Sequence, residues 1–399
     1  MLEFIALPAV ALAAALIPKR KLKDKEKIKR VLENANVSIT KNDNPQYPQL
    51  IREYHSDNYS TYIYSLPFGL HSDSFIKQLP SISESLNKEV EFDFEDGVFK
   101  LYVYHQSLPK KWDYDESLLQ SGKWEFPVGK NHKGIVFHDF EKYQHLLVGG
   151  VTRYGKTVLL KDILTTILLN NPNDAEFYII DLKGGLEFYK YKALPQVKEV
   201  ACDIFEAADL LGKLVTQLKE DEDYFKKNMY TNIVDTPIKK RKFIIIDESA
   251  QLSPSMYTDK GYKEFANYAQ NFLGELARLS GGLGYRVILA TQHPVVQAVP
   301  SVVKANIVAR ISFICANNTA SRVILDESGA EDLPAIAGRC IYLIEKQRIL
   351  QVPYLDDKKM FKMMEERENE ILGEIRADII NDRPTRGGNN KTNSWNTRS

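Results

Sequence analysis

The sequence predicts an α/β fold in which a mostly parallel sheet is covered by helices, preceded by a small α+β domain. Strand-like apolar runs alternate with helical patterns from Gly134 to about Tyr354. Parallel strands need long crossover connections, which the intervening helical segments supply. The runs are almost continuously apolar, as expected of strands that are covered on both faces. They are "HLLVG", "EFYIIDL", "KFIIIDE", "YRVILAT", "ARISFIC" and "RCIYLIE".

The composition is that of an ordinary globular chain. Its 399 residues are 44% hydrophobic and 27% charged, which suits two or three domains. Basic and acidic residues number 53 each, so a chain-wide basic surface for nucleic acid is excluded and any DNA binding must be local. The three cysteines have no C-x-x-C spacing and no histidine partners at metal-ligand intervals, which predicts a reducing compartment and no zinc site; they are Cys202, Cys315 and Cys340.

The amino terminus contains an apolar run, Phe4 to Ile17. A basic cluster follows it at once: Lys19, Arg20, Lys21, Lys23 and Lys25. A bilayer span needs about 17 to 20 apolar residues, so the run is marginal in length. A secretory signal would carry its basic residues before the apolar run. The pattern predicts a membrane anchor with the body of the protein in the cytoplasm, and a buried or partner-packed helix is the alternative.

A small α+β domain is predicted between Ser60 and Gln106. "STYIYSLPF" has strand composition, "SDSFIKQLPSISESL" begins with cap-type residues typical of a helix, and "EVEFDFEDGVFKLYVYH" alternates around Asp96-Gly97 as a hairpin does. The following stretch, "LPKKWDYDESLLQSGKWEFPVGKNHKG", is turn-rich and is interpreted as a linker. Beyond Asp356, a helical pattern precedes a polar tail whose composition is typical of disorder.

The stretch "VGGVTRYGKTVLL" matches the phosphate-loop pattern G-x-x-x-x-G-K-[ST]. A strand before it and a helix after it favour a true phosphate-binding loop over a chance match. Glycines let backbone N–H groups turn towards phosphate, and the helix amino terminus adds its dipole. Lys156 is expected to reach the outer phosphates and Thr157 to ligate Mg2+. The predicted nucleotide-binding residues are Gly150, Val151, Thr152, Arg153, Tyr154, Gly155, Lys156 and Thr157.

A nucleoside triphosphatase also needs a metal carboxylate and a group that activates water. "RKFIIIDESAQL" offers Asp247 to hold magnesium and Glu248 to orient and deprotonate the attacking water. Asp181 also ends an apolar run, but Asp247 is preferred because a second carboxylate is adjacent to it. "VILATQ" ends in Thr291 and Gln292, which are expected to sense the γ-phosphate; for Gln292 the alternative is a satisfied polar residue at a strand end.

With these segments in order, the chain resembles the FtsK/SpoIIIE family of DNA-translocating ATPases from about Phe126 to Ile349. The matching blocks are "FPVGKNHKG", "HLLVGGVTRYGKT", "IIDLKGGLEF", "IIIDESAQL", "LATQHP", "KANIVARISF", "SRVILDESGAEDL" and "GRCIYL". The resemblance implies a RecA-like ATPase motor that uses ATP and Mg2+, assembles as a ring, usually a homohexamer, and moves DNA through its pore.

Within that family the chain looks most like the coupling ATPases of conjugative plasmids and integrative elements of Gram-positive bacteria. This implies a relaxase or conjugation-channel protein as partner, and a place at the cell membrane with the motor domain facing the cytoplasm. The domains expected are an anchor candidate with its basic flank, a small α+β domain with linker, the motor domain, and a helix with a disordered tail, at residues 1–30, 31–125, 126–355 and 356–399.

The chain departs from the family pattern at several positions. Arg153 and Tyr154 stand where chromosome translocases have small residues, which bears on the contact with the base or a neighbouring subunit. Arg278 is the substitute candidate for a catalytic arginine acting in trans, since Gly281 stands at the usual place. No winged-helix module follows Asp356, so sequence-specific loading is expected from a partner.

Pore loops in the family contact the DNA backbone with basic side chains. The matching positions here are His293, Asn318 and Arg322, with Lys304 as a further DNA-contact candidate. For Arg322 the alternative is a surface ion pair with Asp326 at i,i+4 helical spacing.

Three functions fit the sequence. The first is a membrane-associated pump that drives DNA, or a relaxase–DNA complex, in conjugative transfer. The second is a protein-exporting ATPase as in type VII secretion, although such chains usually carry several motor domains. The third is a membrane docking platform in which nucleotide only sets assembly. Glu248 argues against the platform, because binding alone does not need a water-activating carboxylate.

Overall fold

The computed structural model describes residues 22–41 and 44–367. The described residues divide into two compact units, with the division between Leu108 and Pro109. The predicted anchor at Phe4 to Ile17, most of its basic flank and the polar tail lie outside the described residues. Among those that are described, no helix is both long and apolar enough to cross a bilayer.

The first unit is a four-stranded antiparallel sheet with helices packed on one face. The sheet has the order β3-β4-β6-β5. Its core joins Ile28, Phe75 and Ile82 from the helices to Tyr62 and Phe99 from the strands. The elements are α1 (Asp24–Asn34), β1 (Ile39–Lys41), β2 (Asn44–Gln46), β3 (Gln49–His55), β4 (Tyr59–Ser65), α2 (Ser72–Ile76), α3 (Leu79–Leu86), β5 (Val90–Glu95) and β6 (Val98–Tyr104).

The predicted hairpin is present, since β5 and β6 pair around Asp96 and Gly97. Both turn residues have positive φ, 54° and 75°, as a two-residue hairpin turn requires. The single helix expected over 72–86 is two helices, because Pro80 restricts the residue before it and opens α3. Helix α1 was not predicted, and it crosses the expected boundary at residue 30.

The second unit contains a ten-stranded sheet in the order β11-β10-β12-β13-β9-β14-β15-β16-β7-β8. Its elements are β7 (Glu125–Asn131), β8 (Gly134–Asp139), β9 (Leu146–Gly149), α4 (Lys156–Asn170), β10 (Ala175–Ile180), β11 (Val197–Ala201), α5 (Ile204–Asn228), β12 (Arg241–Ile246), α6 (Lys260–Leu279), β13 (Tyr285–Thr291), α7 (Ser301–Asn306), β14 (Ala309–Phe313), α8 (Asn318–Leu325), β15 (Arg339–Leu343), β16 (Gln347–Gln351) and a helix, α9, at 357–367.

The first six strands in this order, β11 through β14, run parallel to one another. Each later pair, from β14 and β15 to β7 and β8, is antiparallel. Two apolar cores lie on the two faces of the sheet. The α/β prediction and its six strands are therefore confirmed. Strands β9, β12 and β13 are neighbours, so the residues that follow them meet at one edge of the sheet.

The segment interpreted as a turn-rich linker belongs to the second unit. Tyr114, Leu118 and Trp124 are buried in one of its cores, and Glu125–Asn131 forms strand β7. The division after Leu108 therefore precedes the expected boundary at residue 125. Helix α9 also joins this core through Met360 and its neighbours.

Candidate functional site

The phosphate loop connects β9 to α4 at the carboxyl edge of the parallel strands. Gly150 and Gly155 have φ of 136° and 114°, in the region that favours glycine. A Cβ at Gly150 would also lie 2.7 Å from the Cβ of Phe313. Helix α4 begins at Lys156, so its amino terminus faces the loop and favours an anion there.

Arg153 and Tyr154 fill the middle of this loop. Arg153 has φ of 72°, a left-handed conformation that is strained for a residue with a Cβ. Its side chain is exposed and lines the cavity beside the loop. Tyr154 packs instead against the core, and its carbonyl accepts a hydrogen bond from the N–H of Gly338 at 2.9 Å.

Lys156 and Asp247 form a buried ion pair. Lys156 Nζ donates to Asp247 Oδ1 at 2.6 Å and also to the main-chain carbonyl of Asp247. The two side chains are only 3% and 0% exposed. Burial lowers the pKa of Lys156, and the charge of Asp247 partly offsets this. Burial alone would raise the pKa of Asp247, but Lys156 and Lys183 together hold it below its ordinary value.

Lys183 is a member of this site that the sequence analysis missed. Its Nζ lies 3.0 Å from Asp247 Oδ2 and 3.8 Å from Glu248 Oε2. The available signal was its position two residues after Asp181, just beyond β10, which pairs with β12. A basic residue there must lie near whatever follows β12.

The carboxylate of Asp181 stabilises the loop that follows β10. It accepts backbone N–H bonds from Lys183, Glu187 and Phe188 at 3.3, 3.0 and 3.1 Å. Asp247 is the carboxylate hydrogen-bonded to Lys156, and its preference over Asp181 as the magnesium ligand stays a prediction.

The buried carboxylate of Glu248 joins the ends of β12 and β13. It accepts the hydroxyl of Thr291 at 2.7 Å and the backbone N–H of Gln292 at 3.0 Å. The side chain of Gln292 lines the cavity next to the phosphate loop. The structure thus brings Gln292 together with Lys156, Asp247 and Glu248.

A cavity of about 470 Å³ adjoins the loop, within the size range of small-molecule sites. One end is formed by the phosphate loop, the start of α4 and Gln292. The other end is formed by two chain segments outside every motif considered above, together with two residues before β15: Lys110, Lys111, Trp112, Gln351, Val352, Pro353, Tyr354, Ala337 and Gly338.

The residues predicted to hold magnesium suit that ion. Thr157 and Lys156 line the cavity, and Asp247 is hydrogen-bonded to Lys156. Oxygen donors, completed by phosphate and water, are the ligands that Mg2+ takes in nucleotide sites. Within the part of the chain that the structure describes, no group of three or more His, Cys, Asp or Glu side chains is placed to hold a metal by itself.

Arg278 does not join the other catalytic candidates. It is exposed in the last turn of α6, which leads to the amino end of β13. The phosphate loop lies at the carboxyl end of β13 and its neighbours, about 20 Å away along the strand. Arg278 therefore cannot serve the site of its own chain, and its action in trans stays a prediction.

Three of the four DNA-contact candidates lie together. Lys304 Nζ donates to the carbonyl of Arg322 at 3.0 Å, and Arg322 Nε donates to Asn318 Oδ1 at 2.8 Å. His293 is exposed on the separate segment after β13.

The alternative ion pair between Arg322 and Asp326 is wrong. Asp326 ends α8 with φ of 62°, outside the helical region, although its N–H still donates to the carbonyl of Arg322 at 3.1 Å. Its carboxylate pairs with Lys304 and Arg310 instead.

Comparisons with known proteins agree on one family. The FtsK/SpoIIIE family model matches residues 108–332. The chain is 27% identical to the DNA translocase FtsK of Oceanobacillus iheyensis over 302 residues, which are 69% of this chain and 38% of that protein. The chain thus spans less than half of that curated relative's length.

Two solved structures share the fold. One is the pCW3 conjugation coupling protein TcpA, monomer form with ATPγS, with a TM-score of 0.63 and 22% identity over 87% of this chain and all of that one. The other is the cytoplasmic domain of the type VII secretion ATPase EccC of Thermomonospora curvata, with a TM-score of 0.51 and 19% identity over 65% of this chain and 33% of that one.

Proposed function

Because the chain belongs to the FtsK/SpoIIIE family, we propose that it is an ATP-driven DNA translocase. The observation that carries this is the arrangement of Lys156, Asp247 and Glu248 at the carboxyl ends of three adjacent strands. It combines a phosphate cradle, an anion for a metal and a second carboxylate for water, which are the parts that triphosphate hydrolysis requires.

Binding of ATP exchanges the partner of Lys156. The ammonium group leaves the Asp247 carboxylate and donates to the outer phosphates, while N–H groups of the loop and of α4 hold the remaining phosphate oxygens. Thr157 and Asp247 are then free to hold Mg2+, which supplies neutralisation of the charge that develops on the phosphates.

Glu248 is the general base in this proposal. In the present geometry its carboxylate is occupied by the Thr291 hydroxyl and the Gln292 N–H, so it must be released before it can accept a proton from water. Gln292 lies between Glu248 and the cavity, where it can report the presence of the γ-phosphate. This links hydrolysis to the segment after β13, which carries His293.

The finer proposal is a homohexameric coupling protein at the cell membrane that pumps DNA, or a relaxase–DNA complex, in conjugative transfer. The fold likeness to TcpA supports it, since that likeness covers most of both chains. In a ring, Arg278 would meet the site of a neighbouring subunit. His293, Lys304, Asn318 and Arg322 would face DNA and contact phosphates without reading bases.

The direct test is ATP hydrolysis by the full chain, with and without DNA, over a series of low salt concentrations. We expect DNA to raise the rate and salt to reduce this stimulation. Lys156→Ala should abolish hydrolysis in both conditions. Equal rates with and without DNA across the series would contradict the proposal.

Arg322→Ala tests the DNA contact. Loss of one phosphate contact should reduce the slope of log affinity against log salt by about 1. The matched control is Lys213→Ala, which removes an exposed base on α5 that pairs with Asp209 and Glu199. An unchanged slope in Arg322→Ala would remove that residue from the DNA surface.

Protein export is the second candidate, favoured by the fold likeness to EccC. Cross-linking the working ATPase to its cargo separates the two: trapped DNA supports the translocase, and a trapped polypeptide without DNA supports the exporter. Membrane fractionation tests the proposed location. The full chain should sediment with membranes, and a chain that begins at Asp24 should not.

A further inference from the structure

One wall of the cavity beside the phosphate loop is formed by the first residues of the second unit. Residues 109–114, here called the linker strap, follow directly after Leu108, the last residue of the first unit. Lys110, Lys111 and Trp112 of the strap line the same cavity as the phosphate loop. None of the nucleotide-binding motifs includes them.

The strap is fixed to the second unit by backbone hydrogen bonds. The N–H of Tyr354 donates to the carbonyl of Trp112 at 2.6 Å, and the N–H of Tyr114 donates to the carbonyl of Tyr354 at 2.9 Å. The guanidinium of Arg339, which is buried, donates to the carbonyl of Pro109 at 3.2 Å. The strap therefore has a defined position beside residues 352–354.

Residues 352–354 are also connected to the phosphate loop. The N–H of Gly338 donates to the carbonyl of Tyr154 at 2.9 Å, and the N–H of Val352 donates to the carbonyl of Gly338 at 2.8 Å. Gly338 has φ of 80°, and a Cβ there would lie 2.5 Å from the side-chain nitrogen of Gln351. A chain of backbone contacts thus runs from the loop through Gly338 and residues 352–354 to the strap.

The two ends of the cavity suit the two ends of a nucleotide. The loop end offers N–H groups and Lys156 for a triphosphate. The strap end offers Trp112 and Tyr354 beside Val352 and Pro353, which suits a flat apolar base. Lysine ammonium groups lie over both rings, Lys130 at 4.8 Å from the Trp112 centroid and Lys111 at 5.0 Å from that of Tyr354.

We propose that the base of the bound nucleotide packs against Trp112 and Tyr354, so that occupancy of the site is transmitted to the linker strap at the start of the second unit. This rests on the proposed function, since it assumes that the cavity binds ATP. It adds that the strap, and not the phosphate loop, distinguishes a nucleotide from a bare polyphosphate.

The experiment compares ATP with inorganic tripolyphosphate, which has the phosphates without the base. Binding of each to the full chain is measured by calorimetry for the wild type, Trp112→Ala, Trp112→Phe and Trp124→Phe. Trp124 is the control, because it is buried in the core and does not line the cavity.

We expect Trp112→Ala to weaken ATP binding about tenfold, as loss of one aromatic partner of a base does, and to leave tripolyphosphate affinity unchanged. Trp112→Phe should retain most of the ATP affinity, and Trp124→Phe all of it. Tyr354→Ala repeats the test from the other aromatic residue. Equal ATP affinity in the wild type, Trp112→Ala and Tyr354→Ala would overturn the proposal.

Hydrogen exchange tests the coupling. ATPγS should slow exchange of the Tyr114 amide, which is bonded within the strap contact, and tripolyphosphate should not. Equal protection by both ligands would contradict the proposal that the base of the nucleotide stabilises the strap. If the wild type binds no ATP at all, the proposed function fails and the strap proposal fails with it; if it binds ATP but the aromatic variants bind it equally well, only the strap proposal fails.

Discussion

Two buried carboxylates in the second unit differ in the cations beside them. Asp247 pairs with Lys156 and Lys183 through its two oxygens, whereas neither oxygen of Asp162 has a hydrogen-bond partner among the described residues. Asp162 lies six residues after Lys156 on α4, less than two turns away.

The two groups are shifted in opposite directions. Paired lysines hold the pKa of Asp247 below its ordinary value, while burial raises the pKa of Asp162 well above its own. A buried carboxylate stays ionised only where cations compensate for the lost hydration. Lys156 and Lys183 therefore keep Asp247 ionised, whereas Asp162 has no such cation beside it among the described residues.

The greatest loss of ATP hydrolysis is expected when the carboxylate of Glu248, next to Asp247, is removed. Glu248→Gln should lower ATP hydrolysis by about 10²- to 10⁴-fold, because an amide cannot accept a proton from water. Nucleotide binding should persist. Asp162→Asn is the matched control, since it makes the same chemical change on a buried carboxylate away from the cavity. A Glu248→Gln variant that hydrolyses ATP at the wild-type rate would contradict the assignment of the base.

Removing one lysine should make Asp247 behave more like Asp162. In Lys183→Met the pKa of Asp247 should rise, and the protein should lose about 1–3 kcal/mol of unfolding free energy as a buried charge loses a partner. A carboxylate whose pKa is lower in the folded than in the unfolded protein stabilises the fold at pH values above its unfolded pKa of about 4. This stabilisation is lost as the pH falls through the folded pKa. The acid limb of stability should therefore move to higher pH, measured by denaturant unfolding. An unchanged acid limb would show that Lys156 alone holds Asp247 ionised.

Removing the unpaired carboxylate of Asp162 should increase the free energy of unfolding instead of decreasing it. Since the folded pKa of Asp162 is raised, the wild type gains a proton on folding above pH about 4 and loses stability as the pH rises towards the folded pKa. Asp162→Leu removes this penalty and should raise the unfolding free energy at neutral pH by about 1–3 kcal/mol. The gain should shrink at pH 4. A loss of stability at neutral pH would mean that the carboxylate has a compensating partner.

The smallest effect is expected at Arg153. Its left-handed backbone is strained, so Arg153→Gly should relieve up to about 1 kcal/mol, reduced by the greater freedom of glycine in the unfolded chain. Thermal unfolding without nucleotide measures it. Destabilisation would show that contacts of the arginine side chain outweigh the strain.

Much of the second unit could be predicted from sequence because its strands are continuous apolar runs and its phosphate loop has a fixed pattern. The choice of Asp247 as the metal carboxylate rested on its neighbour Glu248 and stays a prediction, whereas the turn at Asp96-Gly97 followed from residue type and is confirmed. What could not be predicted depends on pairing between distant segments. Lys183 enters the site only because β10 lies beside β12, and Trp112 only because residues 352–354 hold the strap.

Two other differences between the predictions and the structure have local causes. The i,i+4 spacing of Arg322 and Asp326 assumed that α8 continues, but the helix ends at the left-handed Asp326. Strand β7 begins in a stretch whose glycine, proline and lysine content is typical of turns, and it is stabilised by pairing with β8 and β16. Neither outcome is visible in residue type alone.

ATP is expected to take the place of Asp247 as the partner of Lys156. A crystal structure of the Glu248→Gln protein with ATP and Mg2+ tests this most directly. We expect Lys156 Nζ to contact an outer phosphate oxygen and Asp247 to face the magnesium ion. Lys156 still bonded to Asp247 with nucleotide bound, or nucleotide bound away from the phosphate loop, would contradict it.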